Sequence, residues 1–272
     1  MTFKRIGLIS IIVLFGTGAC WAAWQINLSI STGQAVPVDQ YPYHHLTYLK
    51  LSPDHGGNFT GNVYLLDLSD SSIVQLTRGG TTGSAKWIYQ NQMLVTRRPK
   101  GSVVDPFNLN MLNGRLTKTD HSAEVILAYE DQLRSFYSMD RSYAAVEVSD
   151  PSNLRTSQFG IVRANGEQSA IIATITTAFS RKPLWVPRSN TVLFETPDSQ
   201  ICLLNPESQE TSCRPGVQPA ISPSVDPAIM AFLSTAAGGY QVCTATVVSI
   251  NFEDVACHDQ SPRQIVNLSW RP

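Results

Sequence analysis

The sequence predicts an all-β fold built on an internal repeat. Three observations predict it: β-branched and aromatic runs are short, turn residues separate them, and similar runs recur at a spacing of roughly 36 to 50 residues. Little 3.6-residue periodicity follows the first two dozen residues. The 272 residues are 43% hydrophobic and 15% charged, which favours a folded domain over a disordered chain.

The charge balance and two missing motifs exclude several function classes. The formal net charge is −1 and no basic block occurs, which argues against a nucleic-acid partner. The glycine-rich stretch Gly79–Lys86 lacks the Gly-Lys-Ser/Thr ending of a phosphate-binding loop, so we expect a loop between repeats there. No Gly-x-Ser-x-Gly elbow supplies a serine nucleophile, and we predict no cofactor.

The N-terminal residues have the layout of an export signal. Lys4 and Arg5 precede the apolar run Ile6–Phe15, and the small residues Gly16–Ala19 follow it. A positive end, an apolar stretch and a small-residue end are typical of a secretory signal or a signal anchor. We therefore expect the rest of the chain in the periplasm or another extracytoplasmic space, with any membrane contact through this segment only.

Three fates remain open for this segment, which we assign to residues 1–23. A signal peptidase could cut after Ala19, Cys20 could be lipidated, or the segment could stay in the bilayer. Ile6–Trp24 supports retention because its 19 residues approach the ~20 that span a membrane. A linker over 24–42 would then lead to a β domain over 43–272.

Four further cysteines fall into two close pairs. Cys202 and Cys213 are 11 residues apart, Cys243 and Cys257 are 14 apart, and each pair brackets a predicted hairpin. Since neighbouring strands bring Cβ atoms within about 4.5–5.5 Å, we expect the disulfides Cys202–Cys213 and Cys243–Cys257. Such bonds suit an oxidising compartment. Free buried thiols and a zinc site are the alternatives, although no Cys-x-x-Cys favours zinc.

Each copy of the repeat opens on a large apolar residue, which we call the anchor. The anchors are Trp87, Tyr137, Trp185, Ile221 and Trp270. The two cysteine pairs occupy the same place in the copies that open at Trp185 and Ile221, which supports the alignment. A residue repeated once per copy packs between copies, so we expect the tryptophans in the core rather than in a sugar-binding platform.

These copies resemble the repeat of TolB-like β-propellers. The family pattern "Trp-Ser-Pro-Asp-Gly, apolar-Ala-Phe, Ile-Tyr-x-x-Asp, Leu-Thr" is matched in its second half by Asn62–Thr77 and in its first half by Trp185–Phe194 and Trp270–Pro272. The resemblance runs from about residue 43 onward, and only Ser52-Pro53-Asp54 keeps the turn triplet. It implies a toroid of four-stranded blades and no particular activity.

The anchors predict five blades. The copy at Trp270 has no strands after it, but the missing ones exist near Thr47–Leu51, Asn62–Asp67 and Ile73–Leu76. If the C-terminal strand joins these three, the ring closes and loses its exposed edges. A sixth blade is the alternative if Ser122–Thr176 contains one.

The catalytic chemistry open to such a fold is glycoside hydrolysis, which needs carboxylates that converge on a central cleft. The loop carboxylates that could serve are Asp105, Asp140, Asp150 and Asp226. Most of them are typical turn formers. The histidines, which we expect in surface or turn roles and not in a metal site, are His44, His45, His55, His121 and His258.

The sequence therefore predicts an exported or membrane-tethered β-propeller that is not an enzyme and serves as a protein- or ligand-binding scaffold in the cell envelope. Its partner would be an envelope protein or a glycan. We assign no catalytic or metal residue and no binding residue. The alternative is a carbohydrate-active enzyme that uses a carboxylate cluster in the central cleft.

Overall fold

A computed structural model describes residues 44–53, 59–97, 105–120, 136–148, 155–164, 170–179, 181–223, 226–236 and 238–272. Within these residues lie 19 strands, and every pair of neighbouring strands is antiparallel. The all-β prediction is confirmed. The segment 1–23, Cys20 and the linker 24–42 lie outside the described residues, as do His55, His121 and Asp150.

The strands follow one another with short connections. They are β1 (His45–Pro53), β2 (Phe59–Asp67), β3 (Ser72–Gln75), β4 (Thr82–Tyr89), β5 (Gln92–Arg97), β6 (Asp105–Asn110), β7 (Arg115–Lys118), β8 (Tyr143–Glu147), β9 (Thr156–Arg163), β10 (Ile171–Ala178), β11 (Leu184–Trp185), β12 (Val192–Glu195), β13 (Gln200–Leu204), β14 (Thr211–Pro215), β15 (Val217–Ile221), β16 (Ala228–Ala236), β17 (Gly239–Val248), β18 (Asn251–Ser261) and β19 (Ile265–Trp270).

The strands form local meanders. Strands β4 to β7, β8 to β10, β11 to β14 and β15 to β18 each pair in chain order, and β19, β1, β2 and β3 pair in that order. A single pair, Gly61 with Thr82, joins β2 to β4. The β4 strand corrects one expectation: Gly79–Lys86 is a loop only as far as Thr81, because buried Thr82, Ala85 and Trp87 draw the rest into a strand.

The core lies between neighbouring meanders. Four clusters of buried side chains each connect two of them, as Leu193 of β12 does with Phe232 of β16. Central strands are consequently buried on both faces, and all four residues of Val192–Glu195 are buried. Face-to-face burial of this kind explains why these strands are continuous apolar runs in the sequence.

The two ends of the described chain meet in one sheet. Leu46 of β1 pairs with Trp270 of β19, and Lys50 pairs with Ile265, with a bulge between Thr47 and Leu49. We call this β1–β19 pairing the seam. It completes a four-stranded meander from strands that are more than 200 residues apart in the chain.

Candidate functional site at the seam and the apolar rim

The anchor residues lie at equivalent places in the structure. Trp87, Trp185, Ile221 and Trp270 lie in the first strand of their meanders, and Tyr137 forms an isolated bridge with Ala144 of β8. The three tryptophans each expose 6% of their surface, so they belong to the core as predicted. Buried rings cannot present a sugar-binding platform.

The second residue after each anchor is apolar in all five copies. These residues, which we call the apolar rim, are Tyr89, Met139, Pro187, Pro223 and Pro272. Tyr89 is 66% exposed and Met139 is 64% exposed, while the three prolines are partly buried. Tyr89 and Met139 are therefore the two rim residues that present most of their side chains to solvent.

Polar contacts join the turns that carry the rim. The Asn190 amide nitrogen lies 3.2 Å from both carboxylate oxygens of Asp140, in the amide orientation that satisfies its neighbours. Arg188 Nη1 lies 3.4 Å from Asp226 Oδ2. The turns after Tyr137, Trp185 and Ile221 are therefore side by side at one end of their strands.

A buried arginine connects the turn after Trp87 to the seam. Arg271 is 2% exposed and donates to the Gln90 carbonyl oxygen at 2.6 Å, to Asn91 Oδ1 at 3.2 Å and to His45 Nδ1 at 2.6 Å. Its guanidinium carbon lies 5.7 Å from the Trp87 ring centroid. Because a guanidinium only donates, His45 Nδ1 must accept, which leaves the proton of the neutral ring on Nε2.

That proton points at a carboxylate. His45 Nε2 lies 3.2 Å from Asp67 Oδ2. Burial raises the pKa of Asp67, but hydrogen bonds from the Ser69 N–H and hydroxyl and the contact with His45 outweigh it, so the pKa is lowered. Side-chain contacts thus connect Asp67 to His45 and His45 to Arg271, which is more than 200 residues further along the chain.

Sequence reasoning missed this network, although a signal was present. The residue after the anchor is a buried serine in two other copies, Ser138 and Ser222, whereas the C-terminal copy has Arg271. The sequence Trp-Arg-Pro in place of Trp-Ser-Pro marked the position.

An open groove lies over the network. It has a volume of about 550 Å³ and is lined by Ile88, Tyr89, Gln90, Asn91, Gln92 and Pro272. Two of these residues belong to the apolar rim, and two others are the acceptors of Arg271. The groove is open to solvent rather than enclosed.

A second charged cluster lies along the seam. Tyr48 of β1 donates a short hydrogen bond to Asp259 of β18, and Lys50 Nζ lies 2.6 Å from the same carboxylate oxygen. Burial, followed by this hydrogen bond, raises the pKa of Tyr48. Lys50 also lies 4.6 Å from the Tyr64 ring centroid. The cluster joins β18 to β1, and the sequence alone did not indicate it.

The candidate carboxylates hold local partners and do not form a catalytic group among the described residues. Asp105 Oδ1 lies 2.9 Å from Lys118 Nζ, and Asp226 faces Arg188. Asp140 accepts from the N–H and hydroxyl of Ser142 and from Ser138, which lower its pKa to about 2. A general acid needs a raised pKa, so Asp140 is unsuited to that role.

The described histidines serve structural contacts. His258 Nε2 lies 2.8 Å from Thr244 Oγ1, and burial lowers the pKa of His258. His45 belongs to the seam, and the His44 carbonyl oxygen accepts from Leu68 N at 2.8 Å. Within the described ranges, no group of three or more His, Cys, Asp and Glu side chains could hold a metal ion.

The cysteine pairs lie opposite each other on neighbouring strands. Cys202 of β13 faces Cys213 of β14, and Cys243 of β17 faces Cys257 of β18, with Cα–Cα distances of 4.1 and 4.0 Å and the sulfurs at bonding distance. Each pair joins the third strand of a meander to its outer strand. The part of the chain that is described has no helix long and apolar enough to cross a membrane.

Comparison with known proteins gives weak structural likeness only. No protein-family model matches the chain, and no curated protein matches it. Similar solved structures include TolB from Acinetobacter baumannii, at 11% identity and a TM-score of 0.37 over 84% of this chain and 67% of that one. The isopeptidase AtxE2 is 13% identical, with a TM-score of 0.40, over 77% of this chain and 38% of that one.

A putative 6-phosphogluconolactonase from Bacteroides fragilis is 8% identical, with a TM-score of 0.31, over 84% of this chain and 86% of that one. The chain thus spans about two thirds of the TolB chain and well under half of the isopeptidase. Likeness at these levels identifies no activity for this chain, and the activities of these neighbours differ from one another.

Proposed function

We propose that this chain is a five-bladed β-propeller, closed at the seam, that acts outside the cytoplasm as a non-catalytic binding scaffold in the cell envelope. Five antiparallel meanders, each opened by an anchor, support the blade count. Closure is supported by the β1–β19 pairing, by the Arg271 network and by the Tyr48–Asp259 cluster. Residues 1–23 and the two cysteine pairs support export.

The exposed rim is the observation that carries the binding role. Tyr89 and Met139 keep about two thirds of their surface in solvent at equivalent turns. The candidate carboxylates within the described residues, Asp105, Asp140 and Asp226, are held by Lys118, Ser142 and Arg188. Apolar side chains presented by rigid turns suit contact with another surface. The partner would be an envelope protein or a glycan.

The test is capture from solubilised envelope with the full chain as bait. The control bait carries residues 1–43 fused to an unrelated domain, so that contacts of the N-terminal segment cancel. We expect a protein or a glycan enriched about tenfold or more over the control, a ratio that corresponds to 1.4 kcal/mol of added affinity. The alternative enzyme is favoured instead if the purified protein hydrolyses a glycan and Asp105→Asn, Asp140→Asn or Asp226→Asn abolishes that hydrolysis.

A further inference from the structure

We infer that the apolar rim lies against a lipid bilayer, so that the propeller sits with this end of its axis on the membrane. This inference rests on the proposed ring and export and on retention of the N-terminal segment at the membrane, and it adds what the rim contacts. It follows from where the N-terminal segment joins the domain, from the chemistry of the rim side chains and from the length of the tether.

The N-terminal segment joins the domain at the rim. β1 begins at His45, and the His45 carbonyl oxygen accepts from Arg271 N at 3.1 Å, directly before the rim residue Pro272. Whatever precedes His44 therefore leaves the domain beside the groove that Tyr89 and Pro272 line. The opposite ends of the strands, including the β12–β13 turn at Asp198, face away from this point of attachment.

The rim side chains suit the interface of a bilayer. Tyr89, at 66% exposed, has an apolar ring and a polar hydroxyl, the combination that is enriched where lipid headgroups meet acyl chains. Met139 and three prolines add apolar surface without charge. Other turns at this end carry the exposed carboxylates Asp70, Glu207 and Glu210, so apolar contact rather than attraction to anionic headgroups would hold the domain there.

The tether makes a weak contact sufficient. Residues 25–43 give 19 residues between the apolar stretch Ile6–Trp24 and the domain. Whatever their conformation, these residues reach at most about 65 Å, from roughly 3.3–3.6 Å per residue. If the N-terminal segment stays in the bilayer, this limit keeps the domain near the membrane, so rim contacts too weak to bind free lipid would still orient it.

The experiment is photo-crosslinking of the full chain, reconstituted in liposomes in which a fraction of the lipids carries a diazirine near the headgroup. Peptide mapping compares the turns at Tyr89 and Met139 with two exposed apolar residues at the opposite ends of the strands, Val148 at 43% and Phe179 at 49%. We expect about tenfold more lipid adducts at the rim turns. The double variant Tyr89→Glu, Met139→Glu should lose this excess, and the matched double variant Val148→Glu, Phe179→Glu should keep it.

Three results would overturn the inference. Two are equal adducts at all four places and adducts concentrated at the Asp198 turn. The third is natural removal of the N-terminal segment, so that the mature chain does not float with liposomes. Thermal unfolding of both double variants shows whether they remain folded. Capture of an envelope partner is scored separately on the same variants. If the rim variant loses a protein partner while its lipid adducts are unchanged, the rim binds protein and not lipid.

Discussion

Replacing Arg271 with alanine should destabilise the domain far more than its single-residue change in charge suggests. The side chain is 2% exposed and donates to Gln90, Asn91 and His45. An acceptor that loses its partner in a buried site costs about 1–3 kcal/mol, and the groove would let water reach Gln90 and Asn91 but not His45. We therefore expect a loss of about 3 kcal/mol in the free energy of unfolding, or roughly 6–12 °C in Tm.

The assay is urea unfolding followed by tryptophan fluorescence, because Trp87 contacts the guanidinium directly. Arg188→Ala is the matched control: its ion pair with Asp226 spans 3.4 Å between two exposed side chains and should contribute about 0.5 kcal/mol or less. If Arg271→Ala lowers the unfolding free energy no more than Arg188→Ala does, the seam network does not stabilise the fold as reasoned here.

Three further predictions concern other parts of the domain. Burial lowers the pKa of His258 in the folded state, so the unfolded chain binds more protons and stability should fall as the pH drops below about 6.5. His258→Gln should flatten the dependence of the unfolding free energy on pH between pH 7 and 5. An unchanged dependence would refute the assignment. Removing the Cys202–Cys213 pair with two alanines should cost about 3 kcal/mol, and alkylation without reductant should leave both thiols unlabelled; labelling of both would show that the bond is absent. A Cβ at Gly61 would meet a backbone oxygen at 2.1 Å, so Gly61→Ala should lower the free energy of unfolding by about 3 kcal/mol or more. A Cβ at Gly83 has its nearest neighbour at 3.5 Å, so Gly83→Ala should change the free energy of unfolding by no more than about 0.5 kcal/mol.

Local signals in the sequence predicted the parts of the fold that short-range patterns control. The predicted strands Asn62–Asp67 and Ile73–Leu76 lie within a residue or a few of β2 and β3, because apolar runs and turn residues determine them. The placement of the cysteine pairs followed from the same hairpin reasoning. The glycine-rich stretch before Trp87 was assigned too long a loop, since the burial of Thr82 and Ala85 was not visible in its composition.

The sequence predicted that the C-terminal strand joins the N-terminal three, but it did not predict the side-chain network at the seam. This network brings together Arg271, His45, Asp67 and the turn at Gln90 from distant parts of the chain, and only Trp-Arg-Pro in place of Trp-Ser-Pro indicated one of its members. The exposure of Tyr89 and Met139 was equally hidden, because an apolar residue beside a buried anchor is indistinguishable in sequence from another core residue. Only the three-dimensional position of each turn separates the two.

The proposed scaffold and the orientation of its rim both depend on closure of the ring at the seam. Hydrogen exchange of backbone amides in β19 tests this closure most directly. In a closed ring, peptides that cover Ile265–Trp270 should be protected as strongly as those of the central strand β17, because β19 is paired with β1 and covered by Arg271. Exchange of these amides at the rate of a free chain end, while β17 stays protected, would contradict the account.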